Sequence, residues 1–84
     1  MGLSEYYIYL LESQKSGKWY VGLSSNPEGR LKQHNQGKSH FTKGHIPWVL
    51  LYSEKIGDLK DARQKEKYYK TAAGKKKLKS ILGR

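Results

Sequence analysis

The chain has 84 residues, no cysteine and a formal net charge of +10, from 17 basic and 7 acidic residues. The length predicts one small domain spanning residues 1–84. Without cysteine, disulfides and thiolate metal sites are excluded. No apolar run is long enough for a membrane span or a signal peptide, so we expect a cytoplasmic protein. The excess of positive charge favours nucleic acid as a partner over an inert lysine-rich surface or a membrane surface.

Two strands are predicted first, at residues 6–11 (YYIYLL) and 19–24 (WYVGLS). Both are rich in aromatic and branched side chains, which suit a half-buried pleated surface. The short polar connection between them contains Gly17. This pattern predicts an antiparallel hairpin.

Strand alternation places the tyrosines of the predicted hairpin on particular faces of the sheet. Tyr7 and Tyr9 share one face of the first strand, and Tyr20 and Gly22 share one face of the second. If these faces adjoin, Gly22 leaves space beside Tyr9. Tyrosines in strands are usually packing residues, but a glycine inside a strand indicates a bulge or the close approach of another group.

A first helix is predicted over residues 27–36, ending near Gly37. Ser25 and Glu28 have the spacing of a capping box. Arg30 and His34 lie four residues apart, so they share a helix face, which alone would suit a solvated polar surface. Arg30 is, however, one of three arginines in a lysine-rich chain, and its planar guanidinium is suited to phosphate.

The second half predicts a third strand at residues 48–55 and a helix capped by Asp58 within residues 57–71. A short basic helix should follow, with Gly74 separating the two helices. The loop before the third strand holds His40 and His45 without metal-ligand spacing. The order β-β-α-β-α-α predicts an α+β fold, a small three-stranded antiparallel sheet flanked by helices.

Glu66 is the residue that fits a plain core least well. It lies on the stripe formed by Leu59, Ala62 and Tyr69 along the second long helix. An inward carboxylate is costly unless it is paired or bound to a cation. Position alone leaves two alternatives equal: a functional carboxylate, or one at the edge of the stripe that reaches water or a lysine.

The hairpin motifs resemble those of the GIY-YIG nuclease superfamily. YIY at residues 7–9 and YVG at residues 20–22 match its two name-giving motifs, and Tyr9 and Tyr20 are eleven residues apart, as in that family. One departure is Tyr7, which stands in place of the first glycine. The chain is most similar to the small stand-alone members, which are described as endonucleases or excinuclease-like proteins.

The resemblance extends over essentially the whole chain. Arg30 follows Gly22 by eight residues, as the family arginine does, and His34 matches a position that the family fills with His or Tyr. Glu66, preceded by Ala62, matches the metal-binding glutamate. No asparagine follows this glutamate, although many family nucleases have one.

The resemblance implies single-step, metal-dependent hydrolysis of phosphodiester bonds. Glu66 would hold Mg²⁺ or Mn²⁺, and Arg30 would bind the scissile phosphate, for which Gly22 would make room. Tyr9 or Tyr20 would take the proton from the attacking water. His34 would hydrogen-bond the phosphate or a tyrosine.

The expected substrate is DNA, with specificity resting on flaps, branches or nicks, as in DNA repair, or on a partner protein. The sequence leaves open whether the substrate is DNA or RNA and whether the protein is a monomer or a dimer.

A second hypothesis is a nucleic-acid-binding module without catalysis, which would use Tyr68, Trp48 and Phe41 for stacking on bases. If the protein is not such a module, we expect Tyr68 and Trp48 to be packing residues. A third is a structural or toxin-like partner protein. The C-terminal lysines form either a solvated face or a patch that binds the DNA backbone (Lys75, Lys76, Lys77 and Lys79).

Overall fold

The computed structural model describes residues 5–84, and the elements follow the predicted order. They are β1 (Tyr6–Ser13), β2 (Trp19–Ser24), α1 (Pro27–Asn35), a single 3-10 turn (Lys43–His45), β3 (Trp48–Gly57), α2 (Leu59–Tyr69) and α3 (Ala72–Ile81). The predicted α+β class is therefore confirmed. None of the helices in this described part is long and apolar enough to span a bilayer.

The sheet is antiparallel throughout, with β1 between β2 and β3. Tyr9 lies opposite Gly22, and Leu11 lies opposite Tyr20, so the faces predicted for the hairpin do adjoin. Both outer strands pair along nearly the full length of β1. This pairing explains why β1 and β3 each continue two residues beyond their predicted ends.

The two faces of the sheet are covered by different helices. α2 and α3 cover the face whose buried core is wholly apolar apart from one phenol (Ile8, Leu10, Val21, Tyr69 and Leu78). On the opposite face, Leu31 of α1 packs against Tyr9, Leu11 and Trp48. Trp48 is 4% exposed, which confirms its expected packing role.

Helix α1 begins at Pro27, as predicted, but its N-cap is not the residue that the capping-box pattern indicates. Asn26, not Ser25, is the N-cap, and its side chain accepts a hydrogen bond of 3.1 Å from the amide of Gly29. Pro27 then opens the helix, and the residue before a proline is driven toward extended backbone, as an N-cap requires. The prediction of Ser25 as the cap is therefore wrong by one position.

Gly74 lies inside α3 and does not separate the two helices, as had been predicted. The separation falls at Thr71, which caps α3 by accepting a hydrogen bond of 3.0 Å from the amide of Gly74. A side chain at Gly74 would collide with the backbone of Tyr68 and Tyr69. The glycine therefore serves the close packing of α3 against the end of α2.

Candidate active site

Three rings from three different elements meet on the α1 face of the sheet. Tyr9 comes from β1, Tyr20 from β2 and His34 from α1. The centroid of the His34 ring lies 4.9 Å from that of Tyr20 and 6.1 Å from that of Tyr9. The Tyr9 and Tyr20 centroids are 6.3 Å apart. The hairpin register and the packing of α1 on the sheet thus bring together residues that are distant in the sequence.

A buried chain of hydrogen bonds runs through His34. Its Nε2 lies 3.1 Å from the hydroxyl of Tyr9, and its Nδ1 lies 2.8 Å from Oγ1 of Thr42. Tyr9, His34 and Thr42 are each at most 1% exposed. The Thr42 carbonyl also accepts a hydrogen bond of 2.9 Å from Trp48 Nε1, which ties the loop to β3. We call these three residues the Tyr9–His34–Thr42 network.

Thr42 is a member of the site that the sequence did not reveal. It lies in a loop without hydrophobic periodicity, eight residues after its partner. A threonine in a loop rich in glycine and charge reads as a turn residue. Only the folded path of residues 37–47 brings its hydroxyl to the imidazole.

Burial favours the uncharged forms of His34 and Tyr9 in this network. It lowers the pKa of His34, and the positive charge of Arg30 lowers it further. Burial also raises the pKa of the Tyr9 phenol, an effect that the guanidinium of Arg30 partly offsets. Tyr20 differs from Tyr9 in being only partly buried. Of the two tyrosines, Tyr20 is therefore the more accessible to solvent.

Gly22 serves the ring of Tyr9. A side chain at this position would collide with the end of the Tyr9 phenol, including its hydroxyl. The space that the glycine leaves is thus filled by the tyrosine opposite it in the sheet, rather than left open beside it. The absent side chain is what lets Tyr9 reach His34.

Arg30 lies on α1, one turn before His34, and is partly buried. Its Nη1 donates a hydrogen bond of 2.6 Å to Oε1 of Gln33. The charge of Arg30 lowers the pKa of both Tyr9 and His34, so the guanidinium acts on two of the three rings. A planar cation here is positioned to take an anionic ligand beside the two tyrosines.

Glu66 lies on α2 between the fully buried Ala62 and Tyr69, and its side chain is 23% exposed. The carboxylate accepts a hydrogen bond of 3.2 Å from Lys70 Nζ, as the alternative of a lysine-paired residue predicted. Its negative charge nevertheless contributes to raising the pKa of Tyr9. Among residues 5–84, no group of three or more acidic or histidine side chains is arranged to hold a metal ion.

Several other residues are not brought into the site. His40 is exposed, and Nδ1 of His45 lies 2.9 Å from the hydroxyl of Ser16, where it supports the hairpin turn. Tyr68 is 41% exposed, so the expectation that it packs in the core is wrong. The four C-terminal lysines are exposed on α3.

The GIY-YIG catalytic-domain model matches residues 5–79 of this sequence. The chain belongs to the GIY-YIG family. Its relatives include a UPF0213 protein of Bacillus licheniformis, 37% identical over 82 residues that cover 96% of this chain and 84% of the relative. A UPF0213 protein of Staphylococcus haemolyticus is 34% identical over 80 residues, covering 94% and 96% of the two chains.

A solved structure supports the fold. The solution NMR structure of a UPF0213 protein from Bacillus halodurans superposes with a TM-score of 0.57 at 29% identity. The match covers 92% of this chain and 84% of that one. The predicted resemblance to small stand-alone GIY-YIG proteins is thus confirmed.

Proposed function

We propose that this GIY-YIG protein is an endonuclease that hydrolyses phosphodiester bonds in DNA. The observation that supports the proposal is the convergence of Tyr9, Tyr20 and His34 from three elements, together with the charges of Arg30 and Glu66, which both act on the pKa of Tyr9. This set combines a phosphate-binding cation, a carboxylate and two phenols. The net charge of +10 attracts a polyanionic substrate to it.

Arg30 binds the scissile phosphate in this mechanism. A guanidinium presents five donors in a planar fork, and its bidentate contact with phosphate fixes orientation as well as charge. Negative charge builds on the phosphoryl oxygens as water attacks, and a cation held in place by its helix stabilises that charge. The partial burial of Arg30 strengthens this interaction by limiting the water around it.

Tyr20 is the residue that we assign as general base. Its partial exposure lets its oxygen meet the attacking water, whereas Tyr9 is 1% exposed and hydrogen-bonded to His34. Tyr20 acts in its phenolate form: the phenolate oxygen takes one proton from the attacking water as the water oxygen bonds to phosphorus. The bond from phosphorus to the leaving oxygen breaks, and that oxygen takes a proton from solvent. Tyr9 and His34 form the rigid wall against which Tyr20 and the phosphate are positioned.

Glu66 is the candidate ligand for Mg²⁺ or Mn²⁺. A single carboxylate is compatible with Mg²⁺, which prefers oxygen ligands and usually keeps several waters. The salt bridge to Lys70, whose side chain is 54% exposed, is of the solvent-exposed kind that contributes little free energy, so it can be exchanged for a metal contact. When bound, the metal would supply Lewis-acid stabilisation of the phosphate and of the leaving oxygen.

The test is cleavage of labelled linear, nicked, flapped and branched DNA, with Mg²⁺ or Mn²⁺ and with chelator. We expect Arg30→Ala and Glu66→Gln each to lower the cleavage rate by about 100-fold or more, since each removes a group that acts on the transition state. Glu28→Gln is the matched control, because Glu28 is an exposed carboxylate on α1. Unchanged cleavage in both site variants would overturn the proposal.

A second candidate function is a nucleic-acid-binding module without catalysis. The exposed ring of Phe41 and the exposed lysines of α3 favour it. The indole of Trp48 is buried, so it cannot stack on a nucleobase as this hypothesis predicted. Binding that is equal in wild type and Glu66→Gln, with no cleavage in either, would select this function.

A further inference from the structure

A groove lies directly beside the candidate active site, along the outer strand β2. Its volume is about 430 Å³, within the range of small-ligand sites. Three neighbouring residues of β2, one loop residue and two lysines line it (Trp19, Tyr20, Val21, Phe41, Lys70 and Lys75). We call it the Phe41 groove.

Phe41 is 84% exposed, more than any other large hydrophobic residue of the described chain. Its position is nevertheless fixed, since the next residue, Thr42, is buried and hydrogen-bonded to both His34 and Trp48. The opposite wall is also held, because the indole Nε1 of Trp19 donates a hydrogen bond of 3.0 Å to Glu12. The groove therefore offers aromatic surface in a fixed arrangement.

The positively charged residues of the groove indicate which kind of molecule binds there. Lys70 lies at the end of α2, and Lys75 lies in the first part of α3, so two ammonium groups lie beside the aromatic walls. Protein-binding surfaces are depleted of lysine at their centres. Aromatic rings interleaved with cations are typical of surfaces that bind nucleobases and phosphates together.

We infer that the Phe41 groove seats an unpaired nucleobase of the substrate, stacked on Phe41, with Lys75 on a neighbouring phosphate. The inference rests on the proposed function, because Tyr20 belongs to both the groove and the candidate active site. A base in the groove is therefore next to the scissile phosphate. A base inside a duplex has both faces covered by its neighbours, so the groove selects single-stranded segments.

Binding in chelator tests this assignment without any need for cleavage. We would measure the anisotropy of labelled single-stranded oligonucleotides, and of duplexes of the same length, with wild type and Phe41→Ala. Stacking on one aromatic side chain is lost in the variant, so its affinity for single strands should fall by about 5- to 100-fold. Its affinity for the duplex should stay within about twofold of wild type.

Two controls separate stacking from loss of structure. Phe41→Trp keeps a flat ring and should keep single-strand affinity, while Tyr68→Ala removes an aromatic ring that is 41% exposed and does not line the groove. Tyr68→Ala should leave single-strand affinity unchanged. Lys75→Ala should reduce the slope of log affinity against log salt by about 0.7 on single strands.

The inference is overturned if Phe41→Ala binds single strands as wild type does, or if wild type prefers the duplex. The inference would also be overturned if Phe41→Ala bound single strands as wild type does but failed to bind a protein partner that wild type captures. Single-strand binding that depends on Phe41, in a protein that cuts nothing, would uphold the groove and remove the nuclease proposal. Oligonucleotides of one sequence made as DNA and as RNA would show which sugar the groove accepts.

Discussion

The two faces of the small sheet bury different kinds of side chain. Under α2 and α3, the buried residues are apolar except for the Tyr69 phenol, which donates a hydrogen bond of 2.7 Å to Glu54 at the edge of that face. Under α1, the same three strands bury the Tyr9–His34–Thr42 network. The comparison teaches that an 84-residue domain assigns different tasks to its two faces: one stabilises the fold, and the other holds most of the polar groups proposed for chemistry, with Glu66 of α2 as the exception.

The largest effect on folding is expected on the apolar face. Leu78→Ala removes a fully buried side chain of α3 and leaves a cavity, so the free energy of unfolding should fall by about 2–5 kcal/mol. Urea denaturation measures that loss, and Leu78→Met is the volume-conserving control. Cleavage per folded molecule should be unchanged, and a fall in this rate would break the division between the faces.

The next largest effect is expected on the polar face, and it should be different in kind. Thr42→Val leaves His34 Nδ1 without its partner, so the free energy of unfolding should fall by about 1–3 kcal/mol. The cleavage rate constant should also fall, by up to about 100-fold, because the ring that positions Tyr9 is no longer fixed. Thr42→Ser keeps the hydroxyl and should restore most of both. A loss of stability with full activity would show that the network is only structural.

The smallest effect is a dependence of stability on pH. Because burial lowers the pKa of His34 in the folded protein, the unfolded chain takes up this proton first as the pH falls. Stability should therefore be lost below about pH 6.5, by at most about 1.4 kcal/mol per pH unit. His34→Tyr removes the titration, so its unfolding free energy should fall less steeply below pH 6.5. Equal slopes in the two proteins would contradict a neutral buried imidazole.

Local patterns in the sequence predicted most of the fold. The aromatic runs and the polar turn specified the hairpin and the faces of Tyr9 and Gly22, because strand alternation is a local rule. The N-cap of α1 was harder to predict, because Ser25 and Asn26 are both residue types that cap helices well. Gly74 was misread because its role depends on the backbone of a different helix, which no spacing along the sequence reveals.

Less of the candidate site could be predicted. Spacing and family resemblance indicated five candidate side chains, but not which of the two tyrosines is buried. That difference arises from strand position, since Tyr9 is on the central strand and Tyr20 on an outer one. Thr42 was not predicted, because a hydrogen bond from a loop residue leaves no periodic pattern in the sequence. The pairing of Glu66 with Lys70 was one of two alternatives that the sequence left open.

The central position of β1 has a consequence for how the molecule opens. β1 pairs with a strand on each side, so hydrogen exchange there should require global unfolding. Tyr9 is therefore anchored in the slowest-exchanging part of the chain. A substrate strand can bind and leave while the residue behind the candidate base keeps its place.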